Sequence, residues 1–202
     1  MPRSRLARRR TALAAERLED RVNPVSFSPG DWGYTGGNSM TVAFGEINGD
    51  GIIDMAVGTA STGVELHLND GNGDFTWLNN ITGMGFPEQM ELPDLTGDGL
   101  ADILTGLSFA HWVAAIPNNG DGTFGAPVLK DIGVSVQDVD AADFNGDGKL
   151  DVVAAIPGGA AVLFNTGTPA LLGSPTIYNH QSNGGGAWVL SLIHISEPTR
   201  RS

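Results

Sequence analysis

Three nine-residue stretches decide the fold: Glu46-Ile47-Asn48-Gly49-Asp50-Gly51-Ile52-Ile53-Asp54, Asp94-Leu95-Thr96-Gly97-Asp98-Gly99-Leu100-Ala101-Asp102 and Asp143-Phe144-Asn145-Gly146-Asp147-Gly148-Lys149-Leu150-Asp151. Their first residues lie 48 and 49 positions apart. A second motif keeps the same phase. Asn69-Asp70-Gly71-Asn72-Gly73-Asp74-Phe75 aligns with Asn118-Asn119-Gly120-Asp121-Gly122-Thr123-Phe124, and Asn165-Thr166-Gly167 is a shortened third copy. Two motifs on one period define a repeat of supersecondary units.

Working outward from these turns, the intervening segments read as strands. Thr41–Phe44 enters the first loop and Met55–Gly58 leaves it. Val64–Leu68 alternates as a half-buried strand does, and Phe75–Leu78 follows the second turn. The layout recurs with Ile103–Thr105 and Trp112–Ile116, then with Val152–Ile156 and Ala160–Phe164. The unbroken apolar run Val152–Ile156 suits a strand buried on both faces. Four strands per repeat of this length predict an all-β fold of β-propeller blades with four antiparallel strands each. The blades fall at about 40–88, 89–137 and 138–186, within a domain spanning 25–189. Ala187-Trp188-Val189 reads as the approach to a fourth loop. Propellers close with roughly four to eight blades, so the chain reads as a fragment of a larger, for example seven-bladed, ring.

Composition agrees. Gly is 29 of 202 residues, about twice the usual share, and charged residues are 17%. There is no Cys, which excludes disulfides and thiolate metal sites. No apolar run is long enough for a membrane-spanning helix. The net charge of −12 is uneven: residues 1–21 carry +4, whereas 22–189 carry −17 with Lys130 and Lys149 as the only cations. Such a body repels a phosphate backbone, which disfavours nucleic acid as a partner, and it gains from bound cations.

The two ends stand apart from the repeat. Arg17-Leu18-Glu19-Asp20-Arg21-Val22-Asn23-Pro24 resembles the leader of many large bacterial surface and extracellular proteins, which makes 1–24 an export segment and the location secreted or cell-surface. Leu190-Ser191-Leu192-Ile193-His194-Ile195-Ser196-Glu197-Pro198-Thr199-Arg200 resembles the translation of a sequencing-library adapter, which makes 190–202 a non-native tail.

The nine-residue loop carries the chemistry. Positions 1, 3, 5 and 9 hold oxygen-bearing side chains, mostly carboxylates, and positions 4 and 6 are Gly. A hard cation that takes six to eight oxygens suits such a loop, and Ca²⁺ suits it better than Mg²⁺. The lack of Cys and of clustered His disfavours zinc and copper. An EF-hand requires a Glu at position 12, where this chain has Val57, Thr105 and Ala154. The alternative without metal is a set of turns satisfied by their own backbone.

The two motifs together resemble the FG-GAP/VCBS repeat family, the blades of integrin-α-like propellers and their bacterial relatives, over residues 40–189. The resemblance implies Ca²⁺ as the bound ion. Its side-chain ligands would be Glu46, Asn48, Asp50 and Asp54 with the Ile52 carbonyl, and Asp94, Thr96, Asp98 and Asp102 with the Leu100 carbonyl. In the third loop they would be Asp143, Asn145, Asp147 and Asp151 with the Lys149 carbonyl. Glu46 and Thr96 depart from the usual Asp and Asn. The resemblance also implies an extracellular interaction or adhesion module without catalysis, acting on a surface protein or polysaccharide. Two alternatives stay open: the propeller domain of a larger secreted, for example carbohydrate-active, enzyme, and a lectin-like carbohydrate-binding propeller.

Other candidates read more plainly. The turns at Asn69 and Asn118 are hairpin turns. Phe75 and Phe124 are core. His67, His111 and His180 occupy non-equivalent repeat positions, which argues against a shared metal or catalytic role. Ser108 with His111 lacks a nucleophile-elbow sequence. Trp32, Trp77, Trp112 and Trp188 are assigned to packing rather than to a sugar-binding surface.

Overall fold

The computed structural model describes residues 39–107, 111–167 and 170–179. The leader, Trp32, Ser108, His180, Trp188, the start of a fourth repeat and the tail from 190 lie outside the described residues. Strands β1 (Ser39–Gly45), β2 (Asp54–Thr59), β3 (Gly63–Asn69) and β4 (Phe75–Ile81) form one antiparallel sheet in chain order. Strands β5 (Gln89–Glu91), β6 (Ile103–Leu107), β7 (Trp112–Ile116) and β8 (Val128–Asp131) form the second. The third holds β9 (Asp138–Ala142), β10 (Asp151–Ile156) and β11 (Gly159–Leu163). A short hairpin, β12 (Asn165–Gly167) with β13 (Leu171–Leu172), precedes its outer strand β14 (Thr176–Asn179). These sheets are three successive propeller-type blades.

Register sorts each blade into two faces. Ala43, Ala56 and Leu66 stand opposite one another across β1, β2 and β3, and Val42, Val57 and Glu65 share the other face. The apolar faces meet between blades. Ala43, Ala56, Val64 and Leu66 pack with Met90, Ile103, Ala114 and Ile116. Leu104, Val113 and Ala115 pack with Val139, Val152, Ala154, Ala161 and Leu163, and the inserted hairpin adds Leu171 and Leu172. Each fully buried aliphatic side chain contributes about 1.5–3 kcal/mol, so a blade is stable only against a neighbour. The close approach fixes Gly45: a Cβ there would lie 2.8 Å from the Cβ atoms of both Ala101 and Leu92 of the next blade.

Two expectations change. The run Val152–Ile156 is not buried on both faces: Val152, Ala154 and Ile156 are buried, whereas Val153 and Ala155 are half-buried. Among the described residues no further sheet covers that outer face. Trp77, on the outer strand β4, is about half exposed rather than packed, and Trp112, at the start of β7, is partly exposed. Phe75 and Phe124 are half-buried, and Phe124 packs against the core of the first junction.

The inner strands bring acids together between the second and third blades. Burial pushes the Glu91 carboxyl up to about 7, and the neighbouring Asp140, through its charge and a shared hydrogen bond, and the Asp138 charge add to this. The other elements packed on β5, namely β1 and β6, carry no ionisable side chain. A folded-state carboxyl held above its ordinary value binds more protons than the unfolded chain, so its contribution to stability is present at low pH and lost as pH rises. Glu91→Gln should therefore gain stability relative to wild type as pH climbs from about 4.5 to about 7, read from paired denaturant curves. A pH-independent difference between the two proteins would contradict this account of the seam.

Candidate functional site

Each nine-residue loop closes over a buried carboxylate at its ninth position. Asp54, Asp102 and Asp151 are fully buried. One oxygen of each accepts a backbone N–H from the start of its own loop: Ile47 at 3.0 Å, Thr96 at 2.8 Å and Phe144 at 3.1 Å. The other accepts the N–H of the residue that opens the second turn: Asn69 at 2.8 Å, Asn118 at 2.7 Å and Asn165 at 2.7 Å. Burial raises the carboxyls of Asp54 and Asp102, and these N–H groups act in the opposite direction. The acids at positions 1 and 5 add to the rise at Asp54, and Asp98 adds to that at Asp102.

Above this base, the loop curls around its first residue. Asp94 accepts the N–H groups of Gly97, Asp98 and Gly99 at 2.7, 3.0 and 2.8 Å. Asp143 does the same with Gly146, Asp147 and Gly148 at 2.7, 3.2 and 2.9 Å. Glycines at positions 4 and 6 adopt positive φ in all three loops, which lets consecutive N–H groups point inward. Glu46, one methylene longer, engages Asn48 and Gly49 through Oε1, and its buried Oε2 has no hydrogen-bond partner. At position 5, Asp50, Asp98 and Asp147 each accept the N–H of position 7, from Ile52, Leu100 and Lys149. This N–H is the largest contribution holding the exposed Asp147 carboxyl below its ordinary value.

Thus positions 1, 3 and 5 share one surface nest: Asn48 donates to Asp50, Asn145 to Asp147 and Thr96 to Asp94. Position 9 sits beneath them. Among the described residues no three His, Cys, Asp or Glu side chains converge as a ready-made metal cage; the carboxylates are engaged by backbone N–H groups of their own loop and turn. The donor set nevertheless fits a hard cation: it is all oxygen, and Glu46 leaves one buried oxygen unsatisfied.

The opening Asn of the second turn does more than make a hairpin. Its Oδ1 accepts the N–H two residues on, from Gly71, Gly120 or Gly167. Its Nδ2 donates to the position-8 carbonyl of its own loop, that of Ile53, Ala101 or Leu150. In the later blades it also reaches the preceding blade: Asn118 donates to the Ile47 carbonyl and Asn165 to the Leu95 carbonyl, both at 2.8 Å. The Ala101 N–H adds a bond to the Glu46 carbonyl at 2.7 Å. Loop, turn and neighbouring blade are thereby one hydrogen-bonded unit. The available sequence signal was Asn165, which persists with its Gly where the rest of the turn is lost.

Asn118→Ala leaves two buried carbonyls without a donor, so it should destabilise the chain by about 2–4 kcal/mol in urea unfolding at unchanged m. Asn69→Ala, which breaks no inter-blade bond among the described residues, should cost clearly less. Equal losses would contradict the bridging role.

Comparison with known proteins agrees with this geometry. The FG-GAP-like repeat matches twice, over residues 46–105 and 94–154. No curated protein matches the chain. A similar solved structure is that described as the structural basis of specific recognition of non-reducing terminal N-acetylglucosamine by an Agrocybe aegerita lectin, with a TM-score of 0.51 and 25% identity. The alignment covers 70% of this chain and 38% of that one, so this chain spans well under half of that lectin's length. The two repeat matches take in more than half of the chain and begin on the first and second loops themselves, and the chain belongs to the FG-GAP-like repeat family.

Proposed function

We propose that the chain is a calcium-stabilised extracellular interaction module, without catalysis of its own, in which each of the three loops holds one Ca²⁺. One observation carries the reading: every loop carries three carboxylates in its nine residues, and among the described residues the only cation paired with any of them is Lys149, 3.4 Å from Asp147. A divalent ion offsets that charge and favours the ionised form of the acids beneath the loop. The residues that would hold it are Glu46, Asn48, Asp50 and Asp54, then Asp94, Thr96, Asp98 and Asp102, then Asp143, Asn145, Asp147 and Asp151. The carbonyls of Ile52, Leu100 and Lys149 complete the sets. When bound, the ion supplies a cross-link within the loop, and the chain's own Asp–Asn pairs pass that rigidity to the next blade. Export is supported by the leader-like sequence at 17–24. Among the described residues no helix is long and apolar enough to cross a membrane. The partner class is a surface protein or a polysaccharide.

Extracellular sites of this kind bind in the range of about 10⁻⁴–10⁻³ M. With free ion about tenfold above Kd, each site adds about 1.4 kcal/mol. Calorimetric titration of the full chain with Ca²⁺ should give saturable heat, with one site fewer in Asp147→Ala, and the melting temperature should fall on chelation. Heat no greater than that of a chelator-treated blank would overturn the proposal.

A specific observation favours a second reading. Trp77 is about half exposed on β4, with its ring N–H held by Asn80 at 2.9 Å, a fixed aromatic face of the kind that stacks on sugars. Together with the likeness to a lectin, it supports carbohydrate as the polysaccharide partner. Glycan-array binding that disappears in Trp77→Ala supports this reading, and a flat array removes it.

A further inference from the structure

Four Asn-Gly pairs lie among the described residues: Asn48-Gly49, Asn72-Gly73, Asn119-Gly120 and Asn145-Gly146. Such a pair is chemically labile. The main-chain nitrogen of the Gly can attack the side-chain carbonyl carbon of the Asn, and a residue without a Cβ hinders that attack least. Three of the pairs are held away from this reaction. The Gly49 N–H donates to the Glu46 carboxylate and the Gly146 N–H to that of Asp143, both at 2.7 Å. The Gly120 N–H donates to Oδ1 of the buried Asn118 at 2.9 Å. Each nitrogen must leave its acceptor before it can turn on the neighbouring side chain, and a bond to a charged acceptor is costly to break. The Asn side chains are tied as well. Oδ1 of Asn48 accepts the Asp50 N–H at 3.1 Å and Oδ1 of Asn145 accepts the Asp147 N–H at 2.8 Å, while both amides donate to the carboxylates of those residues. The Asn119 amide donates to Thr123 Oγ1 at 2.9 Å.

The second turn of the first blade is built differently. Asp70 closes it, accepting the N–H groups of Asn72 and Asp74 at 2.8 and 3.2 Å and donating its own N–H to the Asp74 carbonyl at 3.1 Å. Gly73 lies between them with a φ of 98°, and its N–H donates to no described residue. Asn72 is exposed, and one hydrogen bond holds its side chain, from Nδ2 to Asp70 at 3.2 Å. Of the four pairs, this one sets an unengaged nucleophile beside a lightly held amide.

We propose that Asn72 is a site of spontaneous hydrolytic modification. The Gly73 nitrogen bonds to Asn72 Cγ and gives up its proton, the Cγ–Nδ2 bond breaks, and Nδ2 leaves with that proton as ammonia. Water then opens the cyclic imide at either carbonyl, so the net change consumes water and releases ammonia. One product carries an ordinary Asp at position 72. The second blade shows that the turn accommodates it, because the aligned residue there is Asp121, whose Oδ1 accepts the Thr123 N–H at 3.0 Å. The other product is an isoaspartyl linkage, which lengthens the main chain by one carbon just before β4, the strand that carries Trp77. Either product replaces the amide donor to Asp70 with a further negative charge in the turn. The proposal is independent of calcium.

The full chain is incubated in mildly alkaline buffer with a chelator, so that no bound ion shields the loops, and is digested with chymotrypsin at intervals. Tandem mass spectrometry follows the exchange of NH₂ for OH at each Asn. In the folded chain Asn72 should react about tenfold or more faster than Asn48 and Asn145, the factor set by one hydrogen bond to a charged group. It should react several-fold faster than Asn119, whose Gly bonds a neutral amide. In urea strong enough to unfold the chain the four rates should converge, since all four share a Gly neighbour. Equal rates in the folded chain, a faster reaction at any of the other three, or a preference for Asn72 that persists undiminished in urea would each overturn the proposal.

Discussion

Asp102, wholly buried, accepts one N–H from Thr96 at the start of its loop and another from Asn118 at the head of the next turn, and Asp54 and Asp151 repeat the arrangement in the neighbouring blades. Burying an ionised carboxylate is costly unless its oxygens are hydrogen-bonded. Here the bonds are charge-assisted and join segments on opposite sides of two strands. Fixing the turn in this way also aims the Asn118 amide at the Ile47 carbonyl of the preceding blade. The placement of one blade against the next thus depends on a carboxylate that is wholly buried and whose hydrogen bonds stay within its own blade.

The apolar contribution follows from that placement. The two cores lie between sheets, and Gly45 leaves room for Leu92 and Ala101 to approach. Directional bonds set the angle and register of the contact, and burial of Leu66, Ile103, Leu104 and their partners supplies most of the favourable free energy. The same arrangement concentrates negative charge. Three loops with three carboxylates each, and the Glu91–Asp140 seam, leave a strongly acidic body in which burial and neighbouring acids favour a proton on Glu91.

The parts legible in the sequence were those with local chemistry. Gly-Asp-Gly loops, their phase and the alternating Val64–Leu68 strand each carry their own signal, and the sheets form where those signals place them. The inner strands β5 and β9 were not read, because three to five residues that include acids resemble linker. The β12–β13 hairpin replaces a turn whose sequence is shortened, so nothing local announces it. At the candidate site, the oxygen-rich positions were legible, but the bridging amides of Asn118 and Asn165 were not: their second acceptors are 71 and 70 residues away and belong to another blade. The exposure of Trp77 was also hidden, since a large aromatic on a strand is ordinarily read as core.

Native-state hydrogen exchange of the Asn118 and Asn165 backbone N–H groups tests the buried-carboxylate lock directly. If Asp102 and Asp151 hold the turns as described, these two amides open only with global unfolding, and their exchange free energies equal the unfolding free energy from denaturant. Exchange as rapid as that of the exposed turn residues Asn119 and Gly120 would contradict the account.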